Sequence, residues 1–173
     1  MKKINLIIIF LISFLTKSFS HPHSFIEVFP TLNIKGNKVS NLNIKWVLDE
    51  MTSSMLIMEL DSNGDGKIDK KENEFIYKNY FISLEEYNFY TEIKSLNHTK
   101  NNLIPKDFKA YIKEQRMIYS FDINKAYPLE DLKISFFDKD LFMGLVLEKE
   151  YIRINGTKKN QIKKIKKKVF GVK

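Results

Sequence analysis

Residues 25–34 (FIEVFPTLNI) and 39–47 (VSNLNIKWV) alternate between apolar and polar positions. That period of two is the mark of strands with one buried face. Gly36-Asn37 between them is a turn signal, so the pair predicts a β-hairpin. Residues 51–60 contain neither Gly nor Pro, are rich in Met and Leu, and predict a helix. A helical pattern returns over 70–83, with Phe75, Ile76, Tyr80 and Phe81 on one side. Five short aromatic or β-branched runs follow, at 87–96, 108–112, 117–123, 132–137 and 142–147. Asn101-Asn102, Pro105 and the stretch 124–128 separate them. Seven strands with one helical pair inserted near the start predict a mainly β fold of the α+β class. The expectation is an antiparallel β-sandwich-like domain with an EF-hand-like helix–loop–helix inserted at about residues 50–83. There is no internal repeat and no linker that would divide it.

The two ends follow a different pattern. Lys2 and Lys3 precede a 12-residue apolar stretch, Ile4 to Leu15, and Ser18 and Ser20 stand at the −3 and −1 places of a cleavage site. Twelve helical residues rise only about 18 Å, short of a hydrocarbon core of about 30 Å. Residues 1–20 therefore predict a signal peptide, and removal after Ser20 leaves 153 residues exported to the periplasm. Residues 158–173 form a basic tail with eight lysines and no acid. Ile162, Ile165, Val169 and Phe170 make one apolar stripe along it. Such a segment can lie on an anionic membrane surface through Lys163, Lys164, Lys166, Lys167 and Lys168.

This division changes the meaning of the charge. The 173-residue chain carries 29 Lys plus Arg against 21 Asp plus Glu, a net of +8 that invites a nucleic-acid reading. Three of those bases lie in the leader and eight in the tail, so the single domain at 21–157 holds eighteen bases against all 21 acids. It is about −3, and nucleic acid is not its expected partner. Cysteine is absent, which excludes disulfides, thiolate zinc sites, iron–sulfur clusters and thiol nucleophiles.

Between the two predicted helices lies DSNGDGKIDKKE, residues 61–72. It matches the twelve-residue calcium loop at each diagnostic place. Asp61, Asn63, Asp65 and Asp69 put side-chain oxygens at places 1, 3, 5 and 9, and Lys67 at place 7 offers its carbonyl. Gly66 makes the sharp turn, Ile68 is the apolar plug, and Glu72 at place 12 can bind with both oxygens. A hard cation such as Ca²⁺ needs six to eight oxygens, and this spacing can wrap them on one centre. No second loop accompanies it, which predicts structural calcium rather than sensing.

Cleavage at Ser20 would expose His21-Pro22-His23. A terminal histidine offers its α-amine and ring Nδ1, and His23 adds another imidazole, a donor set suited to Zn²⁺, Ni²⁺ or Cu²⁺. The remaining histidine, His98, sits in a polar stretch expected to be a turn.

HPHSFIEV after the leader, IKWVLDEMTSSM, DSNGDGKIDKKE, NYFISLEEYNFYTEI and SFFDKDLFMGLVL occur in that order. Together they resemble the DUF1007 family over about residues 21–150. The resemblance implies a periplasmic accessory component of an ABC-type transport system, encoded beside nickel/cobalt-type permeases or linked to zinc acquisition. It maps the HPH histidines to His21 and His23, and the acidic loop places to Asp61, Asn63, Asp65, Asp69 and Glu72. Where relatives have an Asp-Pro-x-Tyr-Phe-like segment, this chain has Asp138-Lys139-Asp140-Leu141-Phe142. The lysine tail lies outside the resemblance.

The expected function is therefore a non-enzymatic metal-binding protein. It would capture Zn²⁺ or Ni²⁺/Co²⁺ as cargo for an inner-membrane metal permease, with His98 or Asp138 as candidates to complete the site and Ca²⁺ in a structural role. The alternative is a calcium-stabilised assembly module of a membrane transport complex. A third reading, a copper-dependent oxidative enzyme using His21 and His98, lacks an identifiable substrate platform. No G-x-S-x-G, HExxH or phosphate-binding Gly-rich loop is present.

Overall fold

The computed structural model describes residues 24–96 and 102–172. It is a mixed α/β fold made mainly of strands. β1 (Ser24–Lys35) and β2 (Lys38–Leu48) form the predicted antiparallel hairpin, with Ile26 opposite Leu48 and Leu32 opposite Leu42. Gly36 takes the left-handed φ of +60° that the turn requires. Ile26, Val28 and Leu32 of β1 and Leu42, Ile44 and Trp46 of β2 turn to the core, and the residues between them stay half-exposed. The period-two pattern is thus the burial pattern.

α1 (Glu50–Leu60) follows at once, then α2 (Lys70–Ile76). The helix expected over 70–83 does not run straight through: residues Tyr77–Phe81 form a π-helical turn and Ile82–Tyr90 a 3₁₀ segment. Ile76 and Phe81 are both fully buried yet five residues apart, a spacing an α-helix would send to different faces. The wider i→i+5 turn brings Phe81 round beside Ile76. The strand expected from residue 87 begins only at β3 (Thr91–Lys94). Before it, Asn88, Phe89 and Tyr90 all hold left-handed φ values of 48–51°. The Asn88 amide supports this bend, donating from Nδ2 to the Thr91 carbonyl (2.6 Å) and accepting from the Leu103 N–H (3.0 Å). Phe89 and Tyr90 are thereby delivered to the core.

β4 (Lys106–Lys113) and β5 (Arg116–Ile123) form a second hairpin, and the short β6 (Tyr127–Pro128) pairs with the end of β2. β7 (Lys133–Phe136), β8 (Met143–Val146) and β9 (Arg153–Asn155) complete the strands, and the tail forms α3 (Lys159–Phe170). Where an antiparallel sandwich was expected, the described strands gather into one seven-stranded sheet and a separate two-stranded one. The large sheet runs β4-β5-β2-β1-β8, with β6 on β2 and β9 on β1; β3 and β7 pair apart from it. Two of its pairings are parallel, β1 with β8 and β1 with β9. The late strands return to the outer edge of β1, already flanked by β2 on its other side, and run in its direction.

The core is an aromatic cluster between β2, β5 and the 77–90 segment. Trp46 lies 5.0 Å from Phe121 and 6.0 Å from Phe81, ring centre to ring centre, and Phe81 lies 4.3 Å from Phe108. α3 packs against the same body: Ile165 and Val169 are buried, Phe170 stacks on Phe136 at 6.3 Å, and Gly171 caps the helix with φ +72°. The apolar stripe of the tail is therefore turned inward, and it is unavailable for insertion into a lipid surface.

The Ser53 hydroxyl ties α1 to β2 and β5. Ser53, fully buried, donates to the Leu48 carbonyl (3.1 Å) and accepts from the Met117 N–H (3.0 Å). Ser53→Ala leaves that N–H buried without a partner and should destabilise the fold by about 1–3 kcal/mol. Urea unfolding of the variant checks this, and a loss within error of zero would contradict it.

Candidate metal centre

The local sequence aims both helices at the acidic loop. Asp49 is the N-cap of α1: its Oδ1 accepts from the Thr52 N–H (2.9 Å), and its Oδ2 accepts from the Thr52 hydroxyl (2.7 Å) and the Phe25 N–H (2.9 Å). α1 ends at Leu60, and Asp61 donates its N–H back to the Ile57 carbonyl. α2 starts with a capping box, in which Asp69 accepts from the Glu72 N–H and Glu72 Oε2 accepts from the Asp69 N–H, both at 2.9 Å.

Between these caps, the side-chain oxygens of the loop organise its own backbone. Asp61 accepts from the N–H groups of Asp65 (3.2 Å) and Gly66 (2.8 Å), Asn63 from Asp65 (2.8 Å), and Asp65 from Lys67 (2.8 Å). Gly64 and Gly66 take φ values of +68° and +76°. Glu72 differs from the rest, being only 6% exposed. Its Oε1 accepts from both the N–H and the hydroxyl of Ser62, each at 2.8 Å. The Asp69 N–H and the Ser62 hydroxyl are the chief reasons its carboxyl is held below the ordinary value, with burial opposing them. An open cleft of about 380 Å³ beside it is lined by Glu59, Leu60, Ser62, Lys71, Glu72 and Phe75.

The donor chemistry suits a hard, oxygen-seeking cation. A carboxylate oxygen that accepts one N–H keeps a second lone pair, so the bonds at Asp61, Asn63 and Asp65 do not exhaust those groups. Among the described residues, however, no three His, Cys, Asp or Glu side chains converge as a metal site. The Glu72 carboxylate faces the Ser62 N–H and hydroxyl and the Asp69 N–H. Coordination through Glu72 must compete with those hydrogen bonds.

His21, His23 and His98 lie outside the described residues. The chain is described from Ser24, the residue after His23. There the Ser24 hydroxyl accepts from the Thr52 hydroxyl (3.0 Å), and Ser24 pairs with Met143 of β8. Asp138, a candidate to complete a histidine site, is instead committed to the backbone around it. Buried, it accepts from the N–H groups of Asp140, Phe142 and Met143 at 2.9–3.1 Å. The tail lysines divide in two. Lys163, Lys164, Lys167 and Lys168 are exposed on one side of α3, whereas Lys166 donates to the Lys149 carbonyl (2.7 Å).

Sequence reasoning passed over Ser53, Ser62 and the capping role of Asp49. Asp49 alone carried a readable signal, an Asp just before a helical run.

A family model described as a protein of unknown function, DUF1007, matches residues 6–167. The chain belongs to the DUF1007 family. The match extends beyond the motif-bearing residues 21–150 and through most of α3, so the lysine-rich helix falls inside the family span rather than outside it. An uncharacterised protein of Haemophilus influenzae is 29% identical over 109 residues, 63% of this chain and 52% of that protein. An uncharacterised 15.5 kDa protein in the trpE 3' region of Spirochaeta aurantia is 29% identical over 97 residues, 54% of this chain and 69% of that protein. The match to the Haemophilus protein thus spans about half its length. No solved structure matches the chain.

The caps give the fold an acid limit. Glu72 and Asp49 titrate below their ordinary values of 4.5 and 3.8. At Asp49 burial acts upward and is outweighed by the N–H groups of Thr52 and Phe25. The unfolded chain takes up protons first, so the stability from both groups is complete above pH 4.5 and falls as pH drops through the folded values. Urea midpoints measured from about pH 6 down to about pH 3 should show this decline, and Glu72→Gln should flatten its upper part. An unchanged slope in the variant would contradict the assignment to Glu72.

Proposed function

We propose that this chain is a periplasmic metal-handling accessory protein. It takes a divalent transition metal, Zn²⁺ or Ni²⁺/Co²⁺, through His21 and His23 and presents it to an inner-membrane permease, while an EF-hand-like loop at residues 61–72 holds a structural Ca²⁺. The main support is the anchoring of the chain directly after the histidines. Phe25 exchanges hydrogen bonds with Asp49, its N–H donating to the carboxylate and its carbonyl accepting the Asp49 N–H, at 2.9 Å in each case. A segment joined to that point has a fixed base, which limits the ordering cost of gathering ligands. The acidic loop stands at the other end of α1, an 11-residue helix about 16 Å long, so the two cation sites would be separate.

In the mature chain Asp61, Asn63, Asp65, Asp69 and Glu72 supply side-chain oxygens for calcium and Lys67 its carbonyl. The ion would supply a fixed positive centre that holds α1 and α2 together. Calorimetry on the chain beginning at His21 should give one-to-one Zn²⁺ or Ni²⁺ binding that weakens when one residue is added before His21. It should also give one-to-one Ca²⁺ binding that is lost in Glu72→Gln and in Asp61→Asn. Transition-metal binding indifferent to the extension would overturn the histidine assignment, and Ca²⁺ binding unchanged in both variants would overturn the loop assignment.

The exposed lysines of α3 favour a second role beside the same permease, contact with an anionic membrane surface. With Ile165 and Val169 packed inward, this contact is electrostatic only, at about 1 kcal/mol for each lysine near the surface. No helix of the described residues is long and apolar enough to cross a membrane. The chain should co-sediment with phosphatidylglycerol vesicles at low salt and detach at high salt. Substitution of Lys163, Lys164, Lys167 and Lys168 by Glu should abolish binding with the fold intact. Binding that survives high salt would point to buried apolar contact instead.

A further inference from the structure

The oxygens of the acidic loop are not all used alike. Asp61 accepts one N–H on each carboxylate oxygen, and Asn63 and Asp65 each accept one on Oδ1. Every one of those oxygens keeps a lone pair. Glu72 Oε1 instead accepts two donors, the Ser62 N–H and the Ser62 hydroxyl, which take both of its lone pairs. Oε2 accepts the Asp69 N–H and keeps one.

The last place of a calcium loop grips the ion with both carboxylate oxygens. In its present position Glu72 can offer only one. Two of its three donors are backbone N–H groups, and that of Asp69 also completes the capping box that starts α2. The Ser62 hydroxyl is the third, and its removal leaves the capping box and both N–H bonds in place. Ser62 is itself exposed, so a hydroxyl released from Glu72 turns to water at little cost. Glu72, 6% exposed, has no such recourse while the ion is absent. The hydroxyl bond therefore stabilises the ion-free loop and is given up when both oxygens turn to a cation.

We propose that the Ser62 hydroxyl is a latch on Glu72 that weakens cation binding by the loop, so that the loop fills only where Ca²⁺ is abundant. This rests on the assignment of residues 61–72 as a Ca²⁺ site. Ser62 is a positioning residue here: it touches Glu72 and supplies no ligand.

Calorimetric titration of the full chain with Ca²⁺ compares the native sequence with Ser62→Ala and Ser62→Thr. Ser62→Ala should bind Ca²⁺ about tenfold more tightly, whereas Ser62→Thr, which keeps the hydroxyl, should match the native chain. Urea midpoints give a second reading. Ser62→Ala should lower the midpoint with Ca²⁺ chelated and leave it unchanged with Ca²⁺ in excess, because the stability lost without the ion returns as tighter binding. A hydroxyl that merely supported the fold would lower both midpoints, and that result would overturn the latch. Ca²⁺ affinity in Ser62→Ala equal to or weaker than that of the native chain would also overturn it, while leaving the loop a calcium site. Absence of Ca²⁺ binding in all three chains would overturn the loop assignment itself, and the latch with it.

Discussion

Asp49 stands where three pieces of chain meet: the end of β2, the beginning of β1 and the first turn of α1. A half-buried carboxylate costs free energy unless its oxygens are satisfied, and here two N–H groups and a hydroxyl meet that need. Those donors come from residues 24 positions before and three after it. The same charge therefore starts a helix and fixes the strand that the helix must leave. Without it α1 would lack its cap and its link to the start of β1. Ser53, one turn on, repeats this at a smaller scale by linking α1 to β2 and β5.

How much of this could be read beforehand depended on the range of the interaction. The β1–β2 hairpin and α1 are local: their periodicity, Gly36 and the uninterrupted run before Leu60 state them outright. The loop between α1 and α2 is equally local, and its hydrogen-bond pattern is the one its Asp, Asn and Gly spacing demands. The failures arose where tertiary packing overrode local pattern. Residues 77–90 have a helical texture, yet burying both Ile76 and Phe81 requires a π turn, and burying Phe89 and Tyr90 goes with three left-handed residues, of which only Asn88 is of a type that favours that region. The parallel placement of β8 and β9 on β1 is a property of the assembled sheet, and β9 is too short to announce itself. Ser62 was illegible as the partner of Glu72, because a serine at the second loop place carries no distinguishing mark.

The charge of the chain is better understood as a spatial arrangement than as a sum. The lysines of α3 stand on the outer side of a helix whose inner side is sealed by Ile165, Val169 and Phe170. The acids of the loop are engaged with backbone N–H groups, which offsets their mutual repulsion. A polypeptide that is strongly basic in total thus presents a basic ridge and an acidic loop on separate elements.

β1 pairs with β2 directly after it in sequence, but its other edge is closed by β8 and β9, more than a hundred residues later. Contacts that far apart form slowly, because a long loop must close before they reward it. During synthesis the first strand of the sheet therefore waits with one side unpaired until the final strands have been made. For that interval β1 has an open edge, the state most exposed to wrong pairing. Chain order thus makes the last strands the step that closes the sheet.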